Sequence, residues 1–149
     1  MALLVSAVAF VVVGCSGSTQ GSIKPGPNTI FGYVIVHDPG ATWKVDGPCM
    51  PAGPLSDLAE GTNVLAKDGS GKLIGRAELP QGVGEEDEAT DQHDSDTHIC
   101  EFAFEVVGVA TTKTYVVQVA DRPAQTVPLE NMKARFWQLF FEFPGPAPR

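Results

Sequence analysis

Ile99-Cys100-Glu101-Phe102-Ala103-Phe104-Glu105-Val106 is the stretch on which the fold turns. Cys100, Phe102, Phe104 and Val106 fall on one side of an extended chain, and Glu101 and Glu105 on the other, which is the period-two pattern of a half-buried β-strand. Cys100 is therefore expected to point into a core. Downstream, Tyr115–Val119 answers Ile99–Val109 across Thr111-Thr112-Lys113, and Arg135–Phe143 closes the chain with five aromatics in nine residues. In that last run Trp137, Leu139 and Phe141 alternate with Phe136, Gln138 and Phe140, so both faces are apolar. The bulky side chains either fill the core or leave one face exposed as a recognition patch.

Upstream, Thr62–Ala66 and Lys72–Leu79 flank Asp68-Gly69-Ser70-Gly71, a hairpin signal because Asp-Gly and Gly accept positive φ. Thr29–His37 is rich in β-formers, with Phe31, Tyr33 and Ile35 on one face and Val34 and Val36 on the other. Between these two regions lies a Gly/Pro-rich stretch with Asp38-Pro39-Gly40 and Asp46-Gly47-Pro48-Cys49, then a single helical turn at Leu55–Glu60. A second turn of helix is expected at Leu129–Ala134. Six to seven short strands with almost no helical periodicity predict an all-β fold, an antiparallel β-sandwich of immunoglobulin-like or transthyretin-like arrangement over residues 29–143. Residues 144–149 leave it as a tail.

A chain of 149 residues, 43% of them hydrophobic, suits one domain with a substantial core. Its net charge of −8 argues against nucleic acid and anionic lipid headgroups, whose recognition rests on clustered Lys and Arg. The N-terminal run of residues 1–14 is unbroken apolar sequence, shorter than the roughly 20 residues that span a bilayer and closer to the hydrophobic region of a secretory signal. It ends in Val12-Val13-Gly14-Cys15, which resembles a lipobox. That resemblance implies acylation of the Cys15 thiol and cleavage before it. One departure is that no Lys or Arg precedes the apolar run. The alternative is a buried N-terminal strand or helix in which Cys15 is a small hydrophobe. Residues 15–28 continue as a Gly/Ser-rich tether, which favours the anchored reading.

With Cys15 spent on lipid, Cys49 and Cys100 remain, and export favours a disulfide between them over two buried free thiols.

The layout also resembles that of small lipoproteins of actinobacteria and their phages, mostly of unknown function. The likeness is carried by the Cys15 lipobox, Gly32-Tyr33-Val34, a cysteine following Asp46-Gly47-Pro48, and Leu58-Ala59-Glu60-Gly61-Thr62-Asn63-Val64 ahead of Asp68-Gly69-Ser70-Gly71. Cys100-Glu101-Phe102-Ala103-Phe104 and Tyr115-Val116-Val117 complete it. It implies a lipid-anchored protein on the extracytoplasmic face of the cell membrane and, through the phage-encoded members, a role in superinfection exclusion.

Residues 85–98 hold seven of the eighteen carboxylates and two of the three histidines. Asp91, Asp94 and Asp96 could offer oxygen ligands to Ca²⁺, and His93 and His98 suit Zn²⁺. The segment lacks the Asp-x-Asp-x-Asp-Gly calcium pattern and an HExxH pair, and a solvated acidic loop is the competing reading. Gly69-Ser70-Gly71-Lys72 lacks phosphate-loop spacing. No G-x-S-x-G elbow is present, and His37 sits at a strand where a structural role is commoner. No catalytic residues are assigned. The expected function is non-enzymatic binding of an envelope protein or glycan, with metal capture through the acidic loop as the alternative and no cofactor required.

Overall fold

The computed structural model describes residues 28–86 and 96–145. The expected signal, the lipidation site Cys15, the tether up to residue 27, and Asp91, His93 and Asp94 of the acidic segment lie outside the described residues.

The described residues form eleven strands: β1 (Thr29–His37), β2 (Trp43–Lys44), β3 (Pro48–Cys49), β4 (Asn63–Asp68), β5 (Leu73–Glu78), β6 (Gly82–Glu85), β7 (Asp96–Thr97), β8 (Ile99–Val107), β9 (Thr114–Val119), β10 (Gln125–Pro128) and β11 (Gln138–Pro144). A short helix, α1, spans Leu129–Ala134. One sheet has the order β11-β1-β8-β6-β3, the second the order β10-β9-β4-β5, and β2 pairs with β7 as a small ribbon. The fold is the expected all-β sandwich.

The alternation in the sequence sets the core. Strands β1 and β8 run antiparallel with Ile30 opposite Val106, Gly32 opposite Phe104, Val34 opposite Phe102 and Val36 opposite Cys100, so every inward residue faces another. Strand β11 adds Leu139 beside Gly32 and Phe141 beside Val34. The second sheet supplies Val64, Ala66, Tyr115, Val117, Val119 and Val127, and the loops and α1 cap the ends with Leu55, Leu58, Leu79 and Met132. Burying each large aliphatic or aromatic side chain contributes about 1.5–3 kcal/mol. Gly32 is fitted to this packing: a Cβ there would sit 2.7 Å from Phe104 Cε1 and 2.9 Å from the Leu139 carbonyl oxygen.

Cys49 on β3 and Cys100 on β8 form the expected disulfide, with Cα atoms 5.8 Å apart. β6 lies between their two strands, and its Gly82 leaves room for the bridge: a Cβ at that position would meet Cys100 Sγ at 2.7 Å. The hairpin also forms, with a register shift at Ala66/Lys67. Asp68 Oδ1 accepts hydrogen bonds from the Ser70 and Lys72 amides at 2.9 and 3.0 Å, and Gly71 takes φ 88°. Gly69-Ser70-Gly71-Lys72 is thus turn chemistry, and a hydrogen bond from the Ser70 hydroxyl to Asp68 Oδ1 at 2.6 Å, helped by the two amides, holds the Asp68 carboxyl below its ordinary range.

Several expectations are corrected. Strand β9 is not the hairpin partner of β8: β8 pairs with β1 along its whole length and with β6 at Glu101–Ile99, while β9 lies in the other sheet. The chain instead turns at Gly108, buries Val109 and enters the other sheet, where β9 pairs with β4 and β10. The strands exceed six to seven because β2, β3, β6, β7 and β10 are pieces of two to four residues, too short to register as alternation. The sandwich is not wholly antiparallel: β1 and β11 pair in parallel, a geometry open to them because most of the domain serves as their crossover. The turn expected at Leu55–Glu60 is a 3-10 turn at Gly53–Leu55, with Pro54 in its first turn. The last strand starts at Gln138 rather than Arg135, since Arg135–Trp137 form the exit from α1. It also runs one residue further than expected, to Pro144.

Candidate functional site

The two outer faces of the sandwich differ in character. On the second sheet the outward positions include Leu65, Lys67, Arg76, Glu78, Val116 and Gln118, a mixed surface on which Arg76 lies 3.5 Å from Glu78. On the five-stranded sheet the outward side of β1 carries Phe31, Tyr33 and Ile35, all half-buried. Register then fixes their neighbours. Tyr33 lies between Ala103 of β8 and Phe140 of β11, Phe31 between Glu105 and Gln138, and Ile35 between Glu101 and Glu142. Val83 of β6 extends the apolar surface beyond Glu101.

The aromatics on this face touch one another. Tyr33 and Phe140 are stacked at 5.4 Å between ring centroids, and Phe31 meets the Tyr33 edge at 5.1 Å. Phe140 is 50% exposed and Val107, at the end of β8, 59%. These are large apolar side chains with no described element packed over them, and they alternate with carboxylates. Burial pushes the Glu101 carboxyl above its ordinary range, and the Glu85 charge pushes the same way. The ion pairs Lys44–Asp96, Arg76–Glu78, Arg122–Asp57 and Lys133–Glu130 among the described residues do not involve Glu85, Glu101, Glu105 or Glu142.

Of the residues suggested as metal ligands, Asp96 and His98 are described. They flank Thr97, which is buried and donates from its hydroxyl to the Glu85 carbonyl at 2.5 Å, tying together the two ends of the acidic segment. Asp96 pairs with the Lys44 ammonium. His98 Nδ1 lies against the Ala41 carbonyl oxygen and donates to it, while the His98 carbonyl accepts the Asp38 amide at 2.9 Å. Among the described residues no group of three His, Cys, Asp or Glu side chains could hold a metal ion. His37 ends β1, exposed to solvent.

Two of the clefts among the described residues hold side chains that bear on function. One of about 430 Å³ beside the disulfide is lined by Trp43, Pro48, Cys49, Met50, Glu60 and Gln81. Its one thiol-bearing residue is locked in the bridge, and Glu60 is its carboxylate. The other, of about 310 Å³, lies where Arg122 stands 5.6 Å over the Phe143 ring. There Arg122 pairs with Asp57, which lowers the Asp57 carboxyl, and Gln125 Nε2 donates to the Phe140 carbonyl at 2.5 Å, joining the edges of the two sheets.

Sequence reasoning located Phe31, Tyr33 and Ile35 on one face and Glu101 and Glu105 on another strand's outward side, but did not join them. The joining information is the β1–β8 and β1–β11 register, which no local pattern carries. No helix among the described residues is long and apolar enough to cross a membrane. No family model, curated protein or solved structure matches the chain.

Proposed function

We propose that this chain is a lipid-anchored module on the extracytoplasmic side of a cell membrane that binds an envelope partner, and does so through the outer face of its five-stranded sheet. The observation that carries the reading is the contiguous Phe31–Tyr33–Phe140 surface, since outward aromatics in contact with one another, two half-buried and Phe140 exposed, are suited to recognition. The Val12-Val13-Gly14-Cys15 lipobox supports the anchor, and the Cys49–Cys100 bridge suits an oxidising compartment. A rigid sheet is a favourable platform for binding because little conformational freedom is lost when a partner docks. Chemistry is not part of the proposal: the surface offers stacking area and charge rather than a nucleophile beside a base.

Two readouts test it in cells making the chain. Cys15→Ala moves the protein from the membrane to the soluble exported fraction; retention on the membrane contradicts the anchor. A photo-crosslinking residue in place of Tyr33 forms a discrete adduct that the same residue at Val116, on the opposite sheet, does not. Equal adducts from both positions, or none, contradict the assignment of the face.

A further inference from the structure

Register places acidic side chains on both flanks of the aromatic stripe. Glu101 and Glu142 lie on either side of Ile35, Glu105 lies beside Phe31, and Glu85 is next to Ile99 on the adjoining strand. No outward position of β11, β1, β8 or β6 carries Lys or Arg. The cations Lys67 and Arg76 stand on the opposite sheet, and Arg122 is committed to Asp57. We infer that this face takes a cationic polypeptide segment, one presenting arginine or lysine between apolar side chains. The inference rests on the face being the working surface proposed above.

The side chains of the face favour that occupant. Guanidinium groups stack on aromatic rings and pair with carboxylates in the same plane, so an arginine laid across Tyr33 and Phe140 reaches Glu142 or Glu101 at its edge. Burial raises the Glu101 carboxyl and the nearby Glu85 charge raises it further, and an arriving cation offsets both effects. A neutral glycan would stack on the rings but leave the carboxylates uncompensated. A second copy docking face to face would bring like charges together, and an anionic lipid surface would be repelled.

The test is a titration of the full-length chain with a labelled soluble peptide alternating arginine and leucine, alongside its glutamate-for-arginine counterpart and a neutral chito-oligosaccharide. The expected result is saturable binding of the arginine peptide alone, weakening as salt rises. Tyr33→Ser with Phe140→Ser, and separately Glu101→Gln with Glu105→Gln, should each weaken it by roughly tenfold or more. Glu60→Gln with Glu130→Gln removes the same charge elsewhere and should leave it unchanged. All variants are first shown to melt cooperatively. Equal weakening by the control pair means diffuse attraction to a net-acidic protein and overturns the inference. So does saturable binding of the oligosaccharide, or self-association, that is lost with Tyr33→Ser and Phe140→Ser; in either case the face still binds and only its partner class is wrong. If no probe binds and Tyr33 forms no adduct in cells, the binding reading falls with it.

Discussion

Tyr33 of β1 and Phe140 of β11 stack with their rings 16° from parallel, bridging the parallel strand pair that joins the two ends of the domain. Phe140 is half exposed, and neither ring reaches the core between the sheets. Because much of its area faces water, Phe140→Ser should cost little stability, about 1 kcal/mol from the lost ring pair and partial burial. Urea unfolding checks this. A cost as large as that of truncating a core phenylalanine would mean that the face is structural rather than a surface for binding.

Gly32 should tolerate no side chain. Gly32→Ala sets a methyl against Phe104 and the Leu139 carbonyl, and overpacking of this kind costs about 1–3 kcal/mol. The urea midpoint should fall with the slope unchanged. An unchanged midpoint would show that β1, β8 and β11 approach less closely than described.

The disulfide should be a major support. Cys49 and Cys100 are 51 residues apart, and closing a loop of that size stabilises by about 4 kcal/mol in the chain-entropy treatment. Thermal melts with and without reductant should therefore differ by many degrees. Coincident melts would contradict it.

The exit from α1 is built at a cost. The Phe136 amide donates to the Lys133 carbonyl at 3.1 Å and the Trp137 amide to that of Met132 at 2.9 Å, the bonding of a glycine-type helix end. Yet Phe136 has φ 53° and Trp137 φ 64°, in the left-handed region. Phe136 is 76% exposed, so its ring is not repaid by burial. Phe136→Gly should raise stability by about 1 kcal/mol. Trp137→Gly should lower it, since Trp137 is buried against Tyr115 at 5.7 Å. A fall in melting temperature for Phe136→Gly would show that the exposed ring packs on something.

The acidic face should leave a signature in pH dependence. A carboxyl whose folded pKa is raised, as burial and Glu85 raise Glu101, favours the folded state below the unfolded pKa and loses that contribution as pH rises through the folded value. Glu101→Gln should therefore melt higher than wild type at neutral pH, with the gap closing as the solution is acidified below the usual carboxylate range. Asp57, lowered by Arg122, works in the opposite direction: its contribution is present at neutral pH and is lost on acidification. Asp57→Asn should melt lower than wild type at neutral pH only. A Glu101→Gln gap that widens on acidification would contradict the placement of Glu101.

The inward side of β8 was legible because Cys100, Phe102, Phe104 and Val106 alternate strictly with Glu101 and Glu105; in Thr29–His37 the alternation separated Val34 and Val36 from Phe31, Tyr33 and Ile35, but with both faces apolar it did not say which of them turned inward. The Asp68–Gly71 turn and the six-residue helix at Leu129 were legible for the same reason, since their determinants are local. Strand partners were not. Tyr115–Val119 alternates equally well as a hairpin neighbour of β8 or as a member of the other sheet, and only its pairing with β4 and β10 tells the two apart. The face suffered the same loss. Tyr33 and Phe140 are more than a hundred residues apart in sequence, and nothing short of the parallel β1–β11 register brings their rings together.

Covalent footprinting of the chain in intact cells, set against the purified protein, tests the central claim most directly. The account predicts protection in cells confined to Phe31, Tyr33, Phe140 and their neighbours on the five-stranded sheet, with Leu65 and Val116 labelled equally in both samples. Full labelling of Tyr33 and Phe140 in cells, or protection at Val116 in their place, would contradict it.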